Sequence, residues 1–283
     1  MPKQIHVEEF GTGAPLIALH GFGASIYTWR DVLDVLAASH HVHAVDLKGS
    51  GLSPKPRDDR YSMSDQAALI LAYINERALT GVTLAGHSFG AGVALVTALE
   101  LVRTRPGTLA SLILLAPPAY RQKFPLFIRA LRLPVVGPLI QWGVPVSVQV
   151  RTVLRLAYFN DALIADESVD AYAAPLRSSG GRAALRATAR QIVPPDIDAL
   201  ITRYPTIDVP TLLIWGAHDE VVPPSSGDRL QRTLPKATLR VIDTAGHVPH
   251  EETPEIVRPI LREFLRSTSV RAPLASDVPS RHL

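Results

Sequence analysis

Cysteine is absent from the 283 residues, and that one absence removes disulfides, thiolate nucleophiles and Cys-ligated metals together. Long apolar runs are missing too: no stretch of about 18 uninterrupted apolar residues is available for a membrane span. The opening Met1-Pro2-Lys3-Gln4-Ile5-His6-Val7 lacks the apolar core of a signal peptide, so a cytoplasmic location is the expectation. Charge of one sign is scarce. The formal net charge is only +3 and no basic run interleaves with aromatics, so nucleic acid is not an expected partner. No pattern calls for a metal or an organic cofactor, and none reports an oligomeric state. What is present is material for a large core: 47% of residues are hydrophobic and 19% charged, a globular composition.

Seven short β-branched or aliphatic runs recur, at 5–10, 15–19, 42–46, 82–85, 111–116, 211–215 and 238–243. The later ones are continuously apolar, as strands buried on both faces of a parallel sheet are. Between them, 65–79 and 90–103 carry helical spacing with few breakers and suit crossover helices. The alternation stops near Ala116 and resumes at Val209. The intervening 117–205 is proline-punctuated and helical where regular, and reads as a lid over the sheet's C-terminal edge. The core is then 1–116 together with 206–266. The lid holds 11 Lys and Arg against 6 Asp and Glu, a net of +5 that leaves −2 for the remainder. From 267 to 283 the periodicity fades and a frayed tail is expected.

The chemistry starts at Gly86-His87-Ser88-Phe89-Gly90, which fits G-x-S-x-G, a sharp strand-to-helix turn that lifts a serine hydroxyl above the sheet. Val82 to Ala85 before it is a strand pattern, and the residues from Ala91 on are helical. A serine hydroxyl is a weak nucleophile until a base accepts its proton, and the base needs a carboxylate to fix its tautomer. Of ten histidines, His247 is the choice for the base, because Thr244-Ala245-Gly246-His247 follows the last strand pattern and opens a loop. His250 is the nearby rival and reads as a first-turn helical residue. His40, His41 and His43 suit a surface or pairing role, and His87 a packing role. For the acid, Leu212 to Trp215 ends in a glycine turn that carries Asp219 to the same edge; Glu220 and Asp243 are the other carboxylates nearby. The tetrahedral intermediate needs preplaced N–H donors, and the backbone amides of Phe22, in His20-Gly21-Phe22-Gly23, and of Phe89 could supply them.

Four segments, HGFGAS, DLKGSGLSPKP, GHSFGAG and WGAHDEVVP…GHVPHEETPE, stand in the order and spacing of one family, and from about Ile5 to Leu265 the chain resembles a member of the α/β-hydrolase superfamily, a serine esterase-like one. The resemblance implies an α/β-hydrolase fold: a mostly parallel eight-stranded sheet flanked by helices, with a helical cap inserted after the sixth strand. It implies catalytic roles for Ser88, Asp219 and His247, oxyanion donors at Phe22 and Phe89, and a loop-shaping role for Asp46 and the glycines after it. No metal or cofactor is implied, and the expected partner is a small-molecule ester. The serine excludes relatives that attack with aspartate. Hydrolases of carbon–carbon bonds in ring-fission products remain an alternative, although they typically carry Trp directly after the catalytic histidine, where this chain has Val248. A non-catalytic ligand-binding protein of the same fold is the other. The stretch 124–150, rich in Leu, Val and Pro and interrupted by Arg129 and Arg132, suits an apolar acyl-pocket roof packed on the main domain; peripheral membrane contact through an interfacial helix is the alternative. Arg182, Arg186 and Arg190 fall four apart on one helix face, read as solvated.

Overall fold

The computed structural model describes residues 5–269. Seven strands form one sheet: β1 (His6–Phe10), β2 (Ala14–Leu19), β3 (His40–Asp46), β4 (Val82–His87), β5 (Leu109–Leu115), β6 (Thr211–Gly216) and β7 (Ala237–Ile242). Their spatial order is β1-β3-β2-β4-β5-β6-β7, and only β1 runs antiparallel to its neighbour. The expectation of eight strands therefore stands corrected to seven among the described residues. No strand precedes β1 there, so the helical insertion follows the fifth strand rather than the sixth. All seven sequence runs fall on strands, with β3 starting earlier, at His40. The last run differs in character: β7 is an edge strand with alternating exposure, since only β6 pairs with it.

Helices cover both faces. α1 (Leu33–Ala37), α2 (Met63–Glu76) and α3 (Phe89–Thr104) come between strands, and α4 (Leu126–Arg132), α5 (Val136–Gly143), α6 (Val146–Ala157), α7 (Asp166–Ala173), α8 (Ser179–Arg190) and α9 (Ile197–Arg203) fill the stretch between β5 and β6. α10 (Ser225–Thr233), α11 (Pro249–Glu252) and α12 (Pro254–Ser269) complete the chain. α12 carries the described residues through Ser269, so three positions expected to fray are helical; the rest of the expected tail, 270–283, lies outside the described residues.

Period-two alternation within the strands builds two cores from one sheet. Ile17, Leu19, Leu84, Leu112 and Leu114 point to the side covered by α2 and α3. Leu16, Ala18, Ala85, Ile113 and Leu115 point to the other, where α1 supplies Val35 and Leu36 and α12 supplies Val257, Leu261 and Leu265. Ser62 starts α2 with a reciprocal capping box with Asp65, which fixes that helix's entry.

A buried carboxylate ties the inserted helices down. Glu251, with its side chain fully buried, accepts from Thr28 Oγ1 at 2.6 Å, Arg30 Nη1 at 2.8 Å, Tyr158 OH at 3.0 Å and Tyr172 OH at 2.5 Å. Burial alone would raise its pKa, but the Arg30 guanidinium and the hydroxyl donors outweigh that and hold it below the ordinary range. Thr28 and Arg30 precede α1, whereas Tyr158 and Tyr172 belong to the insertion, so one charge joins both parts.

Candidate active site

The residues just beyond the C-terminal ends of β2, β4, β5, β6 and β7 converge beneath the inserted helices, where an open parallel sheet places its ligand crevice. Ser88 sits between β4 and α3 with φ 51° and ψ −120°, a left-handed backbone that costs roughly 1–3 kcal/mol in a non-glycine residue. Its surroundings hold it there: Ser88 N–H donates to the Leu115 carbonyl at 2.8 Å and Gly92 N–H to the Ser88 carbonyl at 3.0 Å. The flanking glycines are required by close approach. A Cβ on Gly86 would stand 2.6 Å from Ala91 Cα, and one on Gly90 2.4 Å from the carbonyl oxygens of Leu19 and His20.

Three sequence-predicted side chains meet here. Ser88 Oγ lies 2.8 Å from His247 Nε2, and His247 Nδ1 lies 2.8 Å from Asp219 Oδ2. The carboxylate can only accept, so the proton sits on Nδ1 and leaves the Nε2 lone pair facing the serine hydroxyl. Asp219 Oδ1 accepts from the amides of Val221 and Val222, each at 2.8 Å, which turns Oδ2 toward the imidazole. His250 does not reach Ser88: it is fully buried on α11, 3.0 Å from Thr28 Oγ1. Thr28 already donates to Glu251, so His250 Nε2 is the donor in that contact. Burial lowers its pKa to about 4 and keeps the ring neutral.

Phe22 and Phe89, whose amides are the two expected donors, both line the cavity that Ser88 also lines. Phe89 N–H is the first of α3 and has no intrahelical acceptor. The Phe22 loop is locked by His20, whose Nδ1 donates to the Gly21 carbonyl at 2.8 Å while Nε2 accepts from Leu47 N–H at 3.0 Å. Burial keeps that ring's pKa low, offset in part by Asp46 and the Gly21 carbonyl. Asp46 takes the loop-shaping place expected of it, accepting from the amides of Ile26 at 2.9 Å and Leu52 at 2.7 Å.

Several supports of His247 have no local sequence signal. Its own N–H donates to the Ala157 carbonyl, 2.6 Å away at the end of α6. Glu252 accepts from Gly246 N–H and Phe159 N–H, both at 2.7 Å, and so joins the histidine loop to the insertion. Burial raises that carboxyl's pKa, partly countered by these amides. His87, expected only to pack, donates from Nε2 to the His247 carbonyl at 2.9 Å. Burial, with His250 and His247 adjacent, drives its pKa well below the ordinary value.

The cavity holds about 360 Å³. Its walls come from Phe127, Ile128 and Leu131 of α4, Ile140 of α5, and Val153 and Leu154 of α6, with further aliphatic side chains around them. No lysine or arginine lines it among the described residues. Away from this site, Glu9, His41 and His43 are the one described group whose ligand atoms, within 4.8 Å of one another, could hold a metal ion. They already serve as pairing partners: Glu9 meets Arg77 and, at 3.0 Å, His41 Nε2, while His43 Nδ1 contacts Tyr73 OH at 2.8 Å.

A mostly parallel sheet with a serine at a strained strand-to-helix turn, and a histidine and aspartate delivered by later loops, defines the α/β-hydrolase class. The chain belongs to the alpha/beta hydrolase family, which it matches over residues 16–260. It is 27% identical over 252 residues to an uncharacterized hydrolase, YugF, of Bacillus subtilis strain 168, covering 89% of each chain. It is 28% identical to a pimeloyl-[acyl-carrier protein] methyl ester esterase of Nitrosomonas europaea, covering 89% of this chain and 95% of that one. Among solved structures, a point mutant of the meta-cleavage product hydrolase CumD of Pseudomonas fluorescens IP01 superposes with a TM-score of 0.79 at 26% identity, covering 93% and 94% of the two chains.

Proposed function

We propose that this hydrolase cleaves carboxylic esters with an apolar acyl or alcohol part through an acyl-enzyme intermediate. The observation that carries the reading is the hydrogen-bonded sequence Ser88 Oγ, His247 Nε2, His247 Nδ1, Asp219 Oδ2 opening onto a cavity with aliphatic walls. Ser88 Oγ attacks the ester carbon as its proton passes to His247 Nε2, and Asp219 stabilises the imidazolium that results. The carbonyl oxygen becomes an oxyanion that accepts from the Phe22 and Phe89 amides. Collapse breaks the bond to the alcohol oxygen, which leaves with the proton held by His247. Water then attacks the acyl-serine by the same route in reverse, releasing the acid and restoring the serine hydroxyl.

The likeness to CumD supports a second reading, hydrolysis of a carbon–carbon bond in a ring-fission dienoic acid. The walls argue against it. Such a substrate brings a carboxylate into the cavity, and a buried carboxylate without a cation or several donors is costly. With no lysine or arginine in the lining among the described residues, and with Gln122, Gln149 and Thr152 already donating to backbone carbonyls, the walls favour a neutral ester.

The test is hydrolysis of p-nitrophenyl esters of increasing acyl length by wild type, Ser88→Ala and His247→Ala. Loss of at least about a thousandfold in kcat/KM in both variants, with unchanged thermal stability, is expected. Folded wild type no faster than Ser88→Ala on every ester, with turnover of a dienoic acid instead, would replace this reading with the second. No turnover of either would favour a ligand-binding role.

A further inference from the structure

The outer surface of α4 and α5 is a second feature of the insertion, independent of the chemistry beneath it. Twelve large apolar side chains are exposed among the described residues, and six of them lie within 126–142. Trp142 is 88% exposed, Leu126 77%, Val135 65%, Leu139 58%, Leu133 50% and Val136 39%. Spacing makes this a face. Val136, Leu139 and Trp142 stand three apart along α5, so they lie on one side of that helix, and Leu133 and Val135 form the adjoining turn. The opposite side of α5 turns Ile140 toward the cavity and buries Gln141 against Arg186 of α8. Half of the segment thus packs as the composition suggests, while the other half meets solvent as a patch of the kind that marks an interaction site.

Charge around the patch indicates what covers it. Residues 121–160 contain six cations, Arg121, Lys123, Arg129, Arg132, Arg151 and Arg155, and no aspartate or glutamate. Arg121, Arg151 and Arg155 are paired with Asp198, Asp166 and Asp161. Lys123, Arg129 and Arg132 have no carboxylate partner among the described residues, and Arg129 and Arg132 stand between exposed Leu126, at the start of α4, and exposed Leu133, just past its end. A second copy on a two-fold axis would bring these cations against their own images with no acid between them. An anionic bilayer instead offers hydrocarbon to the tryptophan, leucines and valines and phosphate to the guanidiniums.

We infer that the outer face of α4 and α5 docks on anionic membrane surfaces, with Trp142, Leu139 and Val135 entering the interface and Arg129 and Arg132 held at the headgroups. No spanning segment is involved, since among the described residues no helix is long and apolar enough to cross a membrane. The same two short helices present one face to the bilayer and line the cavity with the other. Docking does not depend on the ester reading, because it is measured without turnover.

Tryptophan fluorescence reads it directly. Trp29 and Trp215 are buried at 1% and 0% exposure, so a shift on vesicle addition reports Trp142. Full-length protein is titrated with phosphatidylglycerol vesicles and, separately, phosphatidylcholine vesicles, with co-sedimentation in parallel. A blue shift and co-sedimentation with phosphatidylglycerol, weaker on phosphatidylcholine and reduced by salt, are expected. Arg129→Gln with Arg132→Gln is expected to lower partitioning roughly thirty-fold, two contributions of about 1 kcal/mol each near a charged surface. Leu139→Ser with Trp142→Ser is expected to abolish co-sedimentation while leaving the thermal midpoint within a few degrees of wild type. Wild type that neither shifts nor sediments with phosphatidylglycerol overturns the inference, as does equal sedimentation of the Ser variant. A concentration-dependent dimer that Trp142→Ser dissolves, without vesicle binding, overturns it in favour of a second copy.

Discussion

Acidification is expected to unfold this protein well before its carboxylates alone would require. Five histidines, His20, His40, His43, His87 and His250, are no more than 5% exposed. Burial, the largest cause at each, holds all five below the ordinary 6.5, with His43 and His250 lowered to about 4. A histidine lowered by folding takes its proton first in the unfolded chain. Between 6.5 and the folded pKa the unfolded state therefore holds more protons, so stability rises with pH through that window and is lost as pH falls through it. For His250 the drop from 6.5 to about 4 corresponds to about 3 kcal/mol lost by pH 4, at about 1.36 kcal/mol per unit. Two to three protons taken up on unfolding between about pH 6.5 and 5.5 give a slope of roughly 3–4 kcal/mol per pH unit, large against a total of about 5–15 kcal/mol. Asp31 and Glu252, whose carboxyls burial raises, act in the opposite direction from the acid side, so the upper part of the window is the place to read the slope. Urea denaturation at several pH values between about 7.5 and 5.5 measures it. An uptake below one proton across that range would refute the claim that these rings are buried neutral.

Two further perturbations test the scaffold. Glu251→Gln replaces an acceptor of four hydrogen bonds with an amide that can serve only one side of its partners, and is expected to cost about 3–5 kcal/mol by denaturant unfolding; a loss under about 1 kcal/mol would show that this carboxylate does not hold the insertion down. Gly90→Ala puts a methyl 2.4 Å from two backbone carbonyl oxygens and is expected to destabilise by more than about 3 kcal/mol, whereas Gly143→Ala, with open space at its Cβ, is expected to stay within about 1 kcal/mol of wild type. Equal melting of the two variants would contradict the packing described around the Ser88 turn.

Much of the architecture was legible in the chain because it is local or periodic. Each of the seven apolar runs falls on a strand, and the pattern of Gly86 to Gly90 marks a strand-to-helix turn that depends on five adjacent residues. The order of serine, aspartate and histidine was readable because each follows a strand, and a parallel sheet delivers all such loops to one edge. The strand count taken from the family exceeds by one the seven found among the described residues, and the alternating exposure of β7 shows an edge where continuous burial was expected.

The remainder required the tertiary structure, since it joins residues far apart in sequence whose proximity no local pattern encodes. His247 and His250 are three positions apart, yet the loop after β7 directs one ring to Ser88 and α11 holds the other against Thr28. The clasp on the histidine loop comes from Ala157 and Phe159, some ninety residues earlier. Glu251 gathers partners from before α1 and from two separate parts of the insertion. Burial decides which apolar residues of 124–150 line a cavity and which face solvent, and hydropathy is the same for both. Local pattern and spacing were enough for the strands, the turn and the kinds of residue available for chemistry. Which of those residues touch, how the cavity is walled and what the outer face of α4 and α5 presents were decided only when packing brought distant segments together.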